Sequence, residues 1–174
     1  TQLYSAYTPY LDRICANRVA SRNEPVCYIM APADPVSIDG RNVYLDNPLL
    51  WDAVRRHFNL VAVGEKYILL RRREVPIDIE PSHSSFSFKR PLVEKIRSLF
   101  YRASHYVVRY CYSDGTFYDC FVCPEILDGT NILYCLPRTT DEVVRFLSGN
   151  CGQMQSAEQV EILLDGESVF SSRR

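Results

Sequence analysis

Three histidines are the first residues of this chain that could do acid–base chemistry. His57 follows two arginines near the end of a predicted helix, and we expect it there as a cation that complements the helix dipole. His83 lies in a polar, serine-rich stretch and is expected to be solvated. No serine lies in a nucleophile-elbow pattern and no glycine-rich phosphate loop is present, so we predict no catalytic residue. A small hydrolase that uses His105 or a thiol is a further alternative, and it requires a carboxylate beside that histidine.

Seven cysteines form a second set of reactive side chains, at positions 15, 27, 111, 120, 123, 135 and 151. Most have apolar neighbours, as Cys27 and Cys135 do, and we interpret them as small buried hydrophobic residues. An odd count leaves at least one thiol unpaired within the chain. The alternative is a structural disulfide, either between Cys15 and Cys27 or within the group Cys111, Cys120 and Cys135. The sequence therefore leaves the redox compartment open.

One cysteine pair has the spacing of a zinc knuckle. Cys120 and Cys123 are separated by two residues, but no second close pair follows them. In a strand the two side chains would point to opposite faces, which does not suit a shared metal ion. We predict no metal site and no cofactor for this chain.

A cluster of charged residues follows the first predicted strand and is the candidate ligand-binding site. It consists of Asp34, Asp39, Arg41 and Asp46. In an open α/β unit the loops after the strands form the usual ligand site, and carboxylate and guanidinium groups pair well with sugar hydroxyls. The alternative is an ordinary polar loop that aspartate side-chain turns hold in place.

A run of arginines and a single tryptophan complete the candidate residues. Arg71-Arg72-Arg73 ends a predicted strand, where solvated arginines are ordinary, and contact with a membrane surface is the alternative. Trp51 lies on the apolar stripe of a predicted helix. We therefore expect its ring in the core and not as a platform for sugar stacking.

The elements that must position these residues form a small α/β unit in the first half. Helical spacing predicts a helix over 7–20, and the continuous apolar run 26–30 predicts a strand buried on both faces. Asn47 is the expected cap of a second helix, with Pro48 in its first turn. Apolar runs on either side of Gly64-Glu65 predict a hairpin.

The second half is predicted to be mostly strand. Three Asp-Gly turns separate aromatic and β-branched runs and predict antiparallel hairpins. They lie at 114–115, 128–129 and 165–166. Residues 92–102 fit either a helix or a strand, and a helix is predicted over 140–147 with Thr140 as its cap and Gly149 beyond its end. The pattern favours a β-rich meander or sandwich.

Composition and charge exclude several protein classes. Apolar residues make up 47% and charged residues 24% of the chain, the balance of a globular protein. Lys plus Arg is 20 and Asp plus Glu is 21, and this near-neutral balance argues against a general nucleic-acid surface. No apolar run approaches the roughly 20 residues that cross a bilayer. The chain begins at Thr1 without a signal pattern, so we expect a processed product or a fragment.

The order of the motifs resembles one known protein family. The motifs are Tyr7-Thr8-Pro9-Tyr10-Leu11-Asp12, Ala31-Pro32, Ile38-Asp39-Gly40-Arg41, Asn47-Pro48-Leu49-Leu50-Trp51, Phe58 and Tyr67-Ile68-Leu69-Leu70-Arg71-Arg72. In this order they resemble the extracytoplasmic C-terminal region that follows the transmembrane helices of bacterial polytopic glycosyltransferase-like proteins. The second half is similar to the β-rich domain often appended there. The cysteine count departs from what such a domain is expected to have.

The resemblance implies a supporting role and not catalysis. In such transferases the catalytic acids lie near the membrane helices, so none of them corresponds to a position in this chain. The resemblance also implies a location on the extracytoplasmic face of a bacterial membrane, attachment through the helices of a parent protein, and a glycan or lipid-linked sugar as ligand.

We therefore expect an α+β fold with a small α/β domain (1–76), a connection (77–83) and a β-rich domain (84–174). The expected function is that of a non-catalytic domain of a membrane glycosyltransferase-like protein, which supports the parent or positions a glycan and binds no nucleic acid. The alternative is a free-standing intracellular protein-interaction module with reduced cysteines, located in the cytoplasm.

Overall fold

The computed structural model describes residues 9–23, 25–36, 42–45, 47–85, 106–122 and 131–173. The chain divides into two compact units, and neither is continuous in sequence. The N-terminal unit consists of Tyr7–His83 and Cys135–Ser156, and the C-terminal unit contains Ser84–Tyr134 and Ala157–Arg174. The predicted α+β class, with a β-rich region, is confirmed.

The division differs from the predicted domain boundaries in two described segments, and the first is 77–83, which was predicted as a connection but belongs to the N-terminal unit. Residues 135–156 fall within the predicted β-rich domain, but they belong to the N-terminal unit. Two hydrogen bonds inside that unit account for this, since Asn42 Nδ2 donates to the Pro137 carbonyl at 2.6 Å and Arg55 Nε donates to the Phe146 carbonyl at 2.9 Å.

The N-terminal unit contains an antiparallel sheet and helices. Its described elements are α1 (Pro9–Ala20), β1 (Tyr28–Pro32), α2 (Pro48–His57), β2 (Phe58–Val63), β3 (Tyr67–Arg72), α3 (Thr140–Leu147) and a short 3-10 helix (Cys151–Gln153). The strand order is β1-β3-β2, so β3 is central. The predicted hairpin around Gly64-Glu65 is confirmed as the β2–β3 pair, which carries a bulge between Leu60 and Ala62.

The C-terminal unit is dominated by a second antiparallel sheet. Its strands are β5 (Tyr106–Cys111), β6 (Phe117–Val122), β8 (Gln159–Leu164) and β9 (Glu167–Arg173), in the order β6-β5-β8-β9. A separate two-stranded sheet pairs β4 (His83–Ser85) with β7 (Asn131–Leu133). Two of the predicted Asp-Gly hairpins are confirmed. At the second of them Asp165 and Gly166 both have positive φ, 50° and 93°, as the tight two-residue turn requires.

Strand β1 is not buried on both faces, so that prediction was wrong. Tyr28 is 57% exposed and Met30 is 69% exposed, whereas Ala31 is fully buried. The reason is topological, because β1 lies at an edge of a sheet with one open face. A continuous apolar run alone does not distinguish such a strand from one packed between two layers.

The caps of two helices also differ from the prediction. Helix α2 begins at Pro48 as predicted, but the Asn47 side chain makes no capping bond. The Asp12 carboxylate of α1 takes this role, and it accepts from the amides of Leu49 at 3.0 Å and Leu50 at 2.8 Å. In α3 the cap is Thr139, one residue before the predicted Thr140.

Aromatic rings fill the core of the N-terminal unit. The Trp51 ring lies 4.6 Å from that of Tyr44, and the Phe146 ring lies 5.7 Å from that of Tyr44. The expected core position of Trp51 is therefore confirmed. Within the described part of the chain, no helix has both the length and the apolar character that a bilayer crossing demands. The predictions for 92–102, His105 and the 128–129 turn lie outside the described residues.

Candidate binding site

The predicted sugar-binding loop is described at one of its four residues. Asp34 is exposed, and its Oδ1 accepts from the amide of Val36 at 2.8 Å. This bond is an aspartate side-chain turn, the ordinary structural role that was the alternative. Asp39, Arg41 and Asp46 lie outside the described residues, so ligand binding at this loop stays a prediction.

A basic pocket lies at the other end of the same sheet, in the N-terminal unit. Its volume is about 550 Å³, which is within the usual range for a small-molecule site. It is lined by Arg22, Pro25, Cys27, Tyr28, His57, Arg71, Arg72, Arg73, Glu74 and Pro76. Four arginines against one glutamate give the pocket an excess of positive charge, although the chain as a whole has a net charge of -1.

The arginines of this pocket have two different roles. Arg72 Nε donates to the Val26 carbonyl at 2.8 Å, Arg72 Nη2 donates to the Val19 carbonyl, and the guanidinium lies 5.0 Å from the Phe58 ring centre. Arg73 Nε donates to the Phe58 carbonyl at 2.8 Å. These two side chains bind backbone carbonyls at the end of the sheet. The sequence had predicted solvated arginines at this strand end, and for Arg72 and Arg73 that prediction was wrong.

Arg22 and Arg71 are the arginines of the pocket that are open to a ligand. Both side chains are exposed, and neither makes a hydrogen bond or ion pair with any residue in the described ranges. A guanidinium presents five N–H donors in a planar fork, which suits carboxylate and phosphate groups. These two residues can therefore bind an anion without breaking a hydrogen bond or ion pair to the part of the chain that the structure describes.

His57 does not carry the charge that the sequence predicted. Its pKa is lowered by burial and by the positive charges of Arg72, Arg56 and Arg22. The imidazole is consequently mostly neutral at pH 7. Next to two free guanidinium groups it supplies a hydrogen-bonding group and not a third cation.

An open face of the sheet continues from the pocket. Tyr28 of β1 is paired with Arg71 of β3, and paired residues of antiparallel strands share one face. On that face Tyr28, Met30 and Tyr67 are 57%, 69% and 56% exposed. Tyr28 therefore places an aromatic surface beside the guanidinium of Arg71. The two residues are 43 positions apart in sequence, and the register of β1 and β3 brings them together.

A buried ionic cluster lies between α2 and the chain near β4 and is the second group of titratable residues in this unit. Asp52 Oδ1 accepts from Arg55 Nη1 at 2.8 Å and from the Ser82 hydroxyl at 2.6 Å. His83 Nδ1 lies 2.8 Å from Asp52 Oδ2, although without the angle of a hydrogen bond. Arg55 Nη2 donates to Cys151 Sγ at 2.9 Å. The His83 side chain is only 12% exposed and lies against a carboxylate, so the expectation that it is solvated was wrong.

The cluster is arranged as a structural network and not as an activated nucleophile. Burial alone would raise the pKa of Asp52, but its contacts with His83 and Ser82 and the charge of Arg55 outweigh burial and lower it. The Ser82 hydroxyl donates to this carboxylate, so its proton is not directed to a base. The pKa of Cys151 is raised by its hydrogen bond with Cys135 and by burial, which keeps it a thiol.

The described cysteines are free thiols, but their environments differ from the prediction. Cys15 and Cys27 are exposed and unpaired, so they are neither buried nor joined in the alternative disulfide. Cys135 is 2% exposed, as expected of a small hydrophobic residue. Cys123 lies outside the described residues, and nothing is described of the Cys120 side chain. Across the described ranges no cluster of three metal-ligating residues occurs.

The comparisons with known proteins give no match. No family model, no curated protein and no solved structure is similar to this chain.

Proposed function

We propose that this chain is a non-catalytic binding domain whose ligand occupies the basic pocket of the N-terminal unit. The observation that supports this most directly is that Arg22 and Arg71, whose guanidinium groups have no partner in the described ranges, line a cavity of about 550 Å³. The thiol and hydroxyl groups of the buried cluster are not activated, which is why binding is favoured over catalysis here.

The ligand proposed for this pocket is an anionic glycan. Tyr28 offers an aromatic face against which the C–H groups of a sugar ring can pack, and Arg71 stands beside it on the same face of the sheet. A carboxylate or phosphate on the sugar would accept charge-assisted hydrogen bonds from both guanidinium groups. This assignment moves the glycan site from the predicted loop around Asp34 to the opposite end of the sheet.

The setting proposed for this activity comes from the order of motifs in the sequence. We propose that the chain supports a bacterial membrane glycosyltransferase-like protein and positions a glycan or lipid-linked sugar on the extracytoplasmic side. The parent protein's helices would supply the membrane attachment. A basic pocket without activated nucleophiles is compatible with such a positioning role.

Calorimetric titration of the full chain tests the binding proposal. The probes are a uronic-acid trisaccharide and its neutral reduced counterpart, at low and at moderate salt. We expect the acidic sugar to bind more tightly and the affinity to fall as salt rises, because exposed charges are screened. Equal affinity for the two sugars, or no binding of either, would contradict the proposal.

Two matched arginine variants locate the site. Arg71→Ala is expected to weaken binding of the acidic sugar about tenfold, since a hydrogen bond to a charged group contributes roughly 1.5–3 kcal/mol. Arg13→Ala removes an equally exposed arginine of α1 that does not line the pocket, and it should leave the affinity unchanged. A short single-stranded oligonucleotide controls for unspecific attraction of polyanions, and tighter binding of that probe would place the ligand in a different class.

A second candidate function is a free-standing intracellular interaction module with reduced cysteines. It is favoured by the free thiols at positions 15, 27, 111, 135 and 151, two of which are exposed. Alkylation of the free thiols as the protein is released from its native source, followed by a mass-spectrometric count of the alkylated cysteines, separates the candidates. Seven reactive thiols support the intracellular module, and paired cysteines support an exported domain.

A further inference from the structure

Strand β1 forms one edge of the sheet in the N-terminal unit, and part of its backbone faces outward. The Cys27 carbonyl accepts from the Arg72 amide at 2.9 Å, and the Ala33 amide donates to a carbonyl just before β3 at 2.9 Å. Because the bonds of an antiparallel strand alternate along the chain, the N–H and C=O groups of Tyr28 and Met30 point away from β3. Neither residue makes a backbone hydrogen bond to any other part of the described chain.

The two edges of this sheet differ in their protection against pairing with another strand. Charged side chains, prolines and bulges are the usual protection of an exposed edge. The β2 edge has a bulge between Leu60 and Ala62, whereas β1 pairs with β3 without a shift in register and has no charged side chain. Pro32 ends the strand, and its carbonyl accepts from the Tyr44 hydroxyl. The segment 28–30 is therefore an unprotected edge.

The charges around β1 differ in sign between its two ends. At its first residue lie the side chains of Arg22 and Arg71, which are exposed and without an ion pair in the described ranges. Beyond its last residue lie the exposed carboxylates of Asp34 and Glu65, with one exposed cation, Lys66, between β3 and the hairpin turn. An antiparallel pair of such strands places the positive end of each against the negative end of the other.

We propose that β1 is a self-association surface through which two copies of this chain pair across a two-fold axis. The outward backbone groups set the register, since Tyr28 of each copy must lie opposite Met30 of the other, with Ile29 on the axis. Both side chains are available for this contact, because Tyr28 is 57% exposed and Met30 is 69% exposed. The tyrosine ring of each copy then packs against the thioether of the other, which is a favourable contact. The two three-stranded sheets become one continuous sheet.

Self-association and the proposed ligand site share one residue, Arg22. In the pair the Asp34 carboxylate of the second copy lies toward this guanidinium, so an anionic ligand competes with it for the same charge. The association is therefore measured without ligand. It depends on the outward backbone groups of β1, and it stands or falls independently of glycan binding.

Sedimentation velocity of the full chain under reducing conditions measures the association, since the reductant keeps exposed thiols from linking two copies. We expect a reversible dimer whose share rises over a range of roughly 5–500 µM, because pairing through one short strand gives an interface at the low end of the usual sizes. A chain that stays monomeric throughout this range would overturn the proposal and leave the edge to a strand of another protein.

Met30→Pro tests the backbone contact. Proline removes the outward amide but none of the bonds between β1 and β3, so the sheet should be retained, as far-UV circular dichroism would show. We expect the dissociation constant of the dimer to rise about tenfold or more, because each copy loses one hydrogen bond to the other. Met30→Leu keeps the amide and a similar side-chain volume, and it should dimerise nearly as the wild type does. Equal dissociation constants for the two variants would overturn the proposal.

An exchange of charges tests the antiparallel register. Arg22→Glu and Asp34→Arg each place like charges where the two copies meet, and each is expected to weaken the dimer several-fold. Both residues are exposed, so the fold should tolerate either change. The double variant restores opposite charges and should return the dissociation constant close to that of the wild type. A double variant that dimerises more weakly than either single variant would overturn this register.

Discussion

Asp52 is buried and accepts hydrogen bonds from three groups, the Arg55 guanidinium and the hydroxyl and amide of Ser82, so its carboxylate is firmly fixed. Arg55 and Ser82 donate to one of its oxygens, and the amide of Ser82 lies within 3.4 Å of both. The Arg55 guanidinium is 1% exposed and has no alternative carboxylate in these contacts. Removing the charge of Asp52 therefore leaves a buried cation without compensation.

We expect Asp52→Asn to destabilise the N-terminal unit by about 3–5 kcal/mol, the usual cost of removing one partner of a buried ion pair. Urea unfolding followed by tryptophan fluorescence measures this, because Trp51 lies in the same helix. Asp34→Asn is the matched control, since that carboxylate is exposed and serves only a local turn. A loss below 1 kcal/mol for Asp52→Asn would show that the cluster contributes little to stability.

The lowered pKa of Asp52 also predicts how stability depends on acid. Its folded-state pKa lies below the ordinary value of 3.8, so the stability it contributes is complete above that value and is lost as pH falls through the folded-state pKa. Urea midpoints measured between pH 5 and pH 2 should fall more steeply for the wild type than for Asp52→Asn. Parallel curves for the two proteins would contradict this prediction.

His57 reports on the positive potential of the basic pocket. Because Arg22 contributes to the lowered pKa of His57, Arg22→Ala should move that pKa upward toward 6.5. NMR titration of the imidazole C–H resonances measures the change, and Arg13→Ala should leave the titration of His57 where it is. An unchanged pKa in Arg22→Ala would show that the charge of Arg22 does not reach His57.

At the scale of elements, the start of helix α2 depends on a residue of another helix. Asp12 is fully buried and accepts from two amides in the first turn of α2, whereas Asn47, the residue at the capping position, makes no such bond. A carboxylate at this end of the helix also interacts favourably with the helix dipole. One side chain thus caps α2 and fixes it against α1.

We expect Asp12→Ala to cost about 2 kcal/mol or more and Asn47→Ala to cost less than about 0.5 kcal/mol. Thermal or urea unfolding of the two variants gives the comparison directly. If Asn47→Ala lost more unfolding free energy than Asp12→Ala, Asn47 would be the residue that caps α2.

Local pattern was enough to predict elements, but not the contacts between them. The Asp-Gly turn at 165–166 and the helix over 140–147 were identified correctly, because turn chemistry and helix-end signals act over a few residues. The cap from Asp12 and the pairing of Tyr28 with Arg71 depend on partners 37 and 43 positions away. No spacing rule within a single sequence identifies such partners, so the basic pocket could not be predicted.

At the scale of the whole molecule, the N-terminal unit is discontinuous in sequence. The segment Cys135–Ser156 supplies α3, whose residues Val143, Phe146 and Leu147 are fully buried. It also supplies the carbonyl that Arg55 binds and the sulfur beside the same guanidinium. The first 83 residues therefore contain only part of their own core.

A fragment comprising residues 1–83 is accordingly expected to lack a cooperative unfolding transition. Near-UV circular dichroism during urea titration checks this, and the full chain serves as the reference. Addition of a synthetic peptide covering 135–156 should restore part of the signal. A sharp transition of the fragment alone, with the midpoint of the full chain, would show that the first 83 residues form a complete folding unit.

The split core also has a consequence for the order in which the protein is made. A ribosome synthesises residue 83 well before residue 156, and at about 5–20 residues per second this interval lasts roughly 4–15 s. During that time the apolar side of α2 and the guanidinium of Arg55 lack the segment that covers them. The first part of the nascent chain therefore cannot complete its core until the later residues are made. We expect it to need chaperone protection during translation.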